Sequence, residues 1–148
     1  MKLDTLSYAY PYQAEKNKLF DVLMDQQLKY FNYYDKSITE LHEGQEITVE
    51  MKTGKGDATA TTKVKVLKII PNELFQLQTS RAGENNIIQT FEFIKDSRDN
   101  KEKLVCKQAS DVGSKNSQNY FFLGAMVYKM FYKSNMKKKL MQLDKMAQ

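Results

Sequence analysis

The chain has 148 residues, of which 41% are hydrophobic and 28% charged, a composition typical of one globular domain. Its single cysteine excludes an internal disulfide, and we expect a reducing, cytoplasmic compartment. The first residues lack the basic start and apolar run of a signal peptide.

The net charge of +5 is concentrated near the end of the sequence. From Gly113 onward there are seven lysines and one acidic residue, Asp144. Cations toward the C-terminus of a helix are favoured by the helix dipole, which explains this excess without an anionic partner. A docking surface for nucleic acid or anionic lipid is the alternative, and we predict no nucleic-acid partner.

The first segment, KLDTLSYAYPY, alternates in hydrophobicity and predicts a strand. Leu6, Tyr8 and Tyr10 share one face of it, and Pro11 ends it. The next segment, QAEKNKLFDVLMDQQLKYFNYY, has a helical period. It predicts one amphipathic helix, or two short helices with a break near Asp25.

A two-residue period from Ser37 to Ser110 predicts a series of strands. Tight turns between successive strands indicate an antiparallel meander. The predicted strands are ITEL, EITVEM, ATATTKVKVLKII, LFQLQTS, NIIQTFEFI and KLVCKQAS, and the turns are HEGQ, TGKGD, PNE, RAGEN and DSRDNKE.

The last element, from about Ser114 to the end, predicts a helix of about 30 residues, roughly 45 Å long. Its most apolar stretch, NYFFLGAMVYKMFY (Asn119–Tyr132), would extend about 20 Å as a helix, which is too short for a bilayer core of about 30 Å. We therefore predict no transmembrane segment. The stretch carries two apolar stripes: Leu123, Val127, Met130 and Phe131 on one, and Phe121, Ala125, Tyr128 and Tyr132 on the other. Two apolar stripes predict that the helix contacts two sets of neighbours, the strands on one side and the first helix or the cavity on the other.

This order of elements resembles the START-like helix-grip superfamily, which includes lipid-transfer domains, polyketide cyclases and chaperone-activator-homology proteins. The resemblance lies in KLFDVLMD (Lys18–Asp25), in Gly44 of ELHEGQEI and in VKVLKIIPNELFQLQ (Val64–Gln78). More narrowly, the chain looks like an uncharacterised bacterial family within that superfamily. Many relatives have a tryptophan after the first helix, whereas this chain has YFNYY and no tryptophan.

The resemblance implies an α+β fold that forms a single domain over residues 1–148. A curved antiparallel sheet of about seven strands would wrap around a long C-terminal helix, with one or two short helices after the first strand. It also implies a cavity between the sheet and that helix. Inward-facing residues predict the cavity wall: Tyr8, Tyr10, Phe75, Leu77, Phe91, Phe93, Cys106, Phe121, Tyr128 and Tyr132. A filled core is the alternative interpretation of the same residues.

Catalytic and metal-binding patterns are weak in this sequence. His42, the single histidine, lies in a predicted turn, and no cluster of ligands with zinc spacing accompanies it. Cys106 lies on a predicted strand, where an apolar environment keeps a thiol protonated. The Gly-Lys-Gly of TGKGD lies between strands, unlike a phosphate-binding loop. We predict no catalytic residues, no metal and no cofactor, and the sequence favours a non-enzymatic protein.

Past Ser134 the apolar stripe moves around the helix to Met136, Leu140, Leu143 and Ala147. The predicted helix must therefore bend near Ser134–Asn135, or its tail must overhang the domain. An overhanging tail predicts a contact with a partner or a second copy through Met136, Leu140 and Leu143.

The resemblance, taken together with these patterns, implies three alternative functions. The first is a START-like protein that binds a small apolar or amphipathic ligand in the cavity. The second is a chaperone-activator-like interaction module without a ligand. The third is a cyclase- or hydrolase-like enzyme with a tyrosine or His42 reaching into the cavity.

Overall fold

The computed structural model describes residues 3–52, 59–81, 86–111 and 134–148. These residues form an α+β domain, which confirms the predicted fold class. Its elements are β1 (Leu3–Tyr10), α1 (Lys16–Tyr34), β2 (Glu46–Lys52), β3 (Thr59–Ile70), β4 (Leu74–Arg81), β5 (Ile87–Asp96), β6 (Lys101–Asp111) and α2, which is helical over 134–147.

The strands form one curved antiparallel sheet in the order β1-β6-β5-β4-β3-β2. Strands β2 to β6 follow one another as a meander, as the spacing of turns predicts. β1 joins the far edge by pairing with β6, where Tyr8 lies opposite Cys106. β1 and β2 are consecutive strands at opposite edges of the sheet, so the chain between them must cross its full width.

Helix α1 makes that crossing. A sheet of six strands is roughly 24 Å wide, and a helix of 19 residues is about 28 Å long. Phe20, near the start of α1, contacts Phe93 of β5 with ring centroids 6.1 Å apart, and the helix also contacts β2. The length of α1 therefore matches the width that it covers.

The buried side of α1 is a narrow stripe with four-residue spacing, joined by Phe20 beside its first member: Leu19, Phe20, Leu23, Gln27 and Phe31. The helix continues through Asp25, so the alternative of two short helices is wrong. Tyr30 and Tyr34 belong to the predicted apolar side but are 38% and 41% exposed. Tyr30 and Tyr34 follow Gln27 and Phe31 by three residues, which places them about 60° to one side of the stripe.

The predicted strand ITEL is not a strand, so the described sheet has six strands rather than about seven. Residues 38–41 form a loop in which the Ile38 N–H donates to Asp35 O at 3.1 Å. Asn32 Nδ2 donates to the carbonyl of Ile38 at 2.8 Å. Because local partners take both backbone groups of Ile38, neither is available for a sheet ladder.

Three predicted turns are confirmed by backbone conformation. Gly44, in HEGQ, has φ 88°, Asn72, in PNE, has φ 62°, and Asn100, in DSRDNKE, has φ 59°. Positive φ is tolerated by glycine and asparagine better than by other residues, which explains the sequences at these bends. The turn TGKGD lies outside the described residues, as does RAGEN beyond Arg81.

The core lies between one face of the sheet, called the inner face below, and the two helices. The inner face carries Val49, Val66, Phe75, Phe91 and Leu104, each no more than 3% exposed. Residues of α1 and α2 belong to the same buried cluster. This arrangement follows from the two-residue period of the strands, which sends alternate side chains to the covered face.

The apolar stripe of α2 lies in this core, which corrects the prediction of an overhanging tail. Leu140, Leu143 and Ala147 are 0%, 4% and 6% exposed, and Met136 packs against the same cluster. The domain itself therefore covers the residues proposed to contact a partner or a second copy. Packing against the sheet removes the same apolar surface from water that a dimer would have removed. The residues that precede α2 in the predicted helix lie outside the described ranges.

Candidate functional site

Seven of the predicted cavity residues lie on the inner face. Tyr8, Cys106, Phe91 and Phe75 lie opposite one another across four strands and form one row. The next row contains Tyr10, Leu104 and Phe93. Leu77 is two residues from Phe75 on the same face. Phe121, Tyr128 and Tyr132 lie outside the described residues.

The apolar rows are packed tightly against their neighbours. Phe75 and Cys106 are 0% exposed, and Phe91, Leu77 and Phe93 are 3%, 5% and 7% exposed. A side chain beside a space large enough for water would retain accessible surface toward it. Phe75 and Cys106 therefore contact only protein, whereas Tyr8 and Tyr10 are half-buried.

Two glutamines occupy the adjacent row of the inner face. Leu6, Gln108, Gln89 and Leu77 lie opposite one another across β1, β6, β5 and β4. Both glutamines are half-buried, and Gln89 Nε2 donates to Gln108 Oε1 at 3.4 Å. This amide pair is not among the predicted site residues. Gln89 is two residues from Phe91, and Gln108 is two residues from Cys106. The two-residue period of a strand therefore already places both glutamines on the same face as predicted cavity residues.

A buried carboxylate joins α2 to the linker between β1 and α1. Asp144 is 1% exposed and accepts hydrogen bonds from Tyr10 Oη at 3.0 Å, Gln13 N at 2.9 Å and Ala14 N at 2.8 Å. Burial, followed by the hydrogen bond to Asp144, raises the pKa of Tyr10 to about 12. This role of Asp144 is not among the sequence predictions, although Asp144 follows Leu140 by four residues and so shares its buried side. The contact fixes α2 against the sheet edge.

A groove of about 450 Å³ lies between the linker that follows β1 and the start of β6. It is lined by residues 11–14 together with Lys101 and Glu102. Tyr12 Oη donates to Glu102 Oε2 at 2.9 Å, and burial followed by this bond raises the pKa of Tyr12. The Tyr12 ring also meets Phe93 edge-on at 5.6 Å. The Tyr12 phenol and the Glu102 carboxylate are hydrogen-bonded to each other, and this contact joins the linker to β6.

Cys106, the candidate nucleophile, is buried, whereas His42, the candidate base, is exposed. Burial raises the pKa of the Cys106 thiol to about 12, and the charge of Lys139 opposes that rise only in part. The thiol is therefore protonated at neutral pH. The His42 side chain is 63% exposed and lies 3.9 Å from Glu40. This exposed turn position argues against the form of the enzyme hypothesis in which His42 reaches into the cavity, and leaves the form that uses a tyrosine.

Among the described residues, no group of three or more histidine, cysteine, aspartate or glutamate side chains is arranged to hold a metal ion. In the same part of the chain, neither helix combines the length and the apolar character needed to cross a bilayer.

Comparison with known proteins gives evidence on the fold. No family model matches the sequence, and no curated protein does. Among solved structures, the crystal structure of Ara h 8.0201 matches with a TM-score of 0.55 and 9% identity, over 99% of this chain and 98% of that one. The chain has the helix-grip fold.

Bacterial structures show the same helix-grip likeness. A Staphylococcus aureus protein of unknown function matches with a TM-score of 0.59 and 9% identity, over 99% of this chain and 96% of that one. A Staphylococcus epidermidis solution structure matches with a TM-score of 0.55 and 12% identity, over 98% and 90% of the two chains. Identities this low show a shared fold and carry no activity with them.

Proposed function

We propose that this chain is a START-like protein of one domain that binds a small apolar or amphipathic ligand between the inner face and the C-terminal helix. The Gln89–Gln108 amide pair is the observation that carries the proposal. A core built only for stability favours apolar side chains at inward positions, because taking an amide out of water costs free energy that its hydrogen bonds return only in part.

The geometry of the pair supports a role in binding. The hydrogen bond from Gln89 Nε2 to Gln108 Oε1 spans 3.4 Å, longer than the usual distance of about 2.9 Å. Leu6 and Leu77 border the pair in the same row, so apolar surface surrounds a pair of polar groups. Binding sites for small molecules commonly combine apolar walls with a few polar groups that orient the ligand.

The tightly packed rows define one end of the proposed site. Phe75, Phe91 and Cys106 form its apolar base next to α1 and α2, and the ligand lies toward Tyr8, Leu77 and the amide pair. Phe121, Tyr128 and Tyr132 are the proposed residues of the opposite wall. The helix-grip fold and the packing of α2 in the core beneath the inner face are what support this part of the proposal.

Native mass spectrometry of protein purified from its own host tests the proposal directly, and we expect a retained small molecule. Binding of the fluorescent apolar probe N-phenyl-1-naphthylamine gives a second measurement. A linear twelve-carbon alcohol should displace it from wild type. The Gln89→Leu variant should bind that alcohol roughly 2- to 12-fold more weakly, the effect of one net hydrogen bond.

Gln76→Leu is the matched control, because Gln76 lies on the outer face and donates to Thr90 Oγ1 at 3.0 Å. We expect wild-type affinity from it. If the purified protein retains no small molecule and binds neither probe, the ligand-binding proposal is wrong. If Gln89→Leu and Gln76→Leu weaken binding equally, the amide pair has no specific role.

A further inference from the structure

The groove between the linker that follows β1 and the start of β6 has fixed walls. Asp144 accepts hydrogen bonds from the backbone N–H groups of Gln13 and Ala14, which holds the linker in place. Tyr12 is held by its hydrogen bond to Glu102 and by the edge-on packing of its ring against a core phenylalanine. The groove volume of about 450 Å³ lies within the range of small-molecule sites, about 300–1,000 Å³. Because the walls are held before a ligand arrives, binding requires little ordering of the chain.

The lining of the groove combines apolar and charged surface. Pro11, the Tyr12 ring and Ala14 supply the apolar part, and Lys101 and Glu102 supply the charged part. Unlike the packed rows of the inner face, all of these side chains keep accessible surface. Tyr12 and Ala14 are half-buried, and the others are exposed. A small molecule in the groove would therefore contact both kinds of surface.

Positive charge predominates at the groove. Lys16 Nζ lies 3.9 Å from Glu102 Oε1, and Lys95 lies opposite Glu102 in the ladder between β5 and β6. Together with Lys101, three lysines lie near one carboxylate, which leaves an excess of two positive charges. Within the described part of the chain, Lys95 and Lys101 form no ion pair.

Other acidic residues near the groove do not cancel this excess. Each is paired with a cation within 4.0 Å: Asp96 with Arg98 and Lys103, Asp99 with Lys103, and Glu15 with Lys18. These six residues carry no net charge together. The groove is therefore complementary in charge to an anion.

We propose that this groove binds a small organic carboxylate, whose compact apolar body lies against Tyr12 and Ala14 and whose charge lies beside Lys16 and Lys101. Lysine ammonium groups only donate hydrogen bonds and a carboxylate only accepts them, so the two are matched. Glu102 has two opposing effects: its hydrogen bond holds Tyr12, and its charge repels the ligand. The site is separate from the proposed ligand site on the inner face.

The test follows backbone amide signals by NMR during titration with 4-phenylbutyrate, and uses the neutral 4-phenylbutanol as the matched probe. The anion should bind more tightly than the alcohol and should move the signals of Ala14 and Glu102. Lys16→Gln and Lys101→Gln should each weaken binding of the anion roughly 1.5- to 5-fold, the effect of one partly exposed ion pair. Lys107→Gln is the control, because Lys107 is exposed on the outer face of β6 and should leave the affinity unchanged.

Glu102→Gln should change the affinity in the opposite direction. Its amide oxygen still accepts from Tyr12, and the loss of the negative charge should strengthen binding of 4-phenylbutyrate by a similar factor, with 4-phenylbutanol unchanged. Weaker binding of both probes by Glu102→Gln would show a structural role alone and would overturn the inference. Equal affinity of wild type for the two probes would also overturn it. Signals that move at Gln89 and not at Ala14 would place the anion on the inner face, with the same consequence.

Discussion

The phenol of Tyr10 donates a hydrogen bond of 3.0 Å to the buried carboxylate of Asp144, which lies 134 residues later in the chain. The same carboxylate also accepts from the backbone N–H groups of Gln13 and Ala14. One side chain of α2 therefore holds the end of β1 and the start of the linker to α1. The two ends of the sequence are fixed together at this point.

Replacement of Asp144 should destabilise the fold strongly. Asp144→Ala leaves two backbone donors and one phenol without their acceptor, and we expect a loss of about 3–5 kcal/mol in the free energy of unfolding, measured by urea denaturation. Tyr10→Phe should cost only about 0.5–1.5 kcal/mol, because the two backbone bonds remain. Asp21→Ala, at an exposed position of α1, should change stability by less than about 0.5 kcal/mol. Equal effects of Asp144→Ala and Asp21→Ala would show that the carboxylate does not hold the two ends together.

The same contact predicts a dependence of stability on alkaline pH. The pKa of Tyr10 is about 12 in the folded state and about 10 in the unfolded state, so the folded state retains the proton over this interval. The stabilisation is complete below pH 10 and is lost as the pH rises through 12. Tyr10→Phe should therefore lose stability less steeply than wild type between these values, as measured by urea denaturation at each pH. Identical slopes in the two proteins would contradict the prediction.

Leu140 should contribute to the core of the monomer and not to an interface. Leu140→Ala removes a side chain that is 0% exposed, and we expect a loss of about 2–5 kcal/mol with no change in molecular size by light scattering. Met141→Ala is the neighbouring control, since Met141 is 39% exposed and should cost much less. A variant that kept its stability but changed its state of association would restore the hypothesis of a partner surface.

Cys106 should be inert in the native protein. Burial and a pKa of about 12 leave little thiolate at neutral pH, so iodoacetamide should modify the thiol only after denaturation. A Ser97→Cys variant supplies the control, because Ser97 lies in the exposed turn between β5 and β6. Mass spectrometry should find one modification in that native variant and none in native wild type. Rapid native modification of Cys106 would contradict the assignment of this residue to the core.

Local patterns in the sequence predict much of the sheet. Phe91 and Phe93 are two residues apart, as are Leu104 and Cys106. Each pair lies on one face because the pleat sends every second residue to the same side. The same rule failed for ITEL. Its alternation is too short to outweigh the side-chain hydrogen bond from Asn32, which leaves Ile38 in a loop.

The candidate site was predicted in part. The strand pattern identified Tyr8, Phe75 and Cys106 as inward residues, but it could not show that Phe75 and Cys106 are packed without adjoining space. It also passed over Gln89 and Gln108, because hydropathy treats a glutamine as a surface residue. The role proposed for them depends on Leu6 and Leu77, which become their neighbours only through strand pairing.

The sequence by itself determined the order of the strands and helices apart from ITEL, the covered face of each strand and the turns at Gly44 and Asn72. These properties depend on periods of a few residues and on backbone conformations that particular residue types prefer. The tertiary structure decided how distant segments meet. It buried Leu140 and Leu143 in the core, placed Asp144 beneath Tyr10, and left Thr62 with a buried hydroxyl. Those outcomes depend on contacts between residues far apart in the chain, and no local period encodes them.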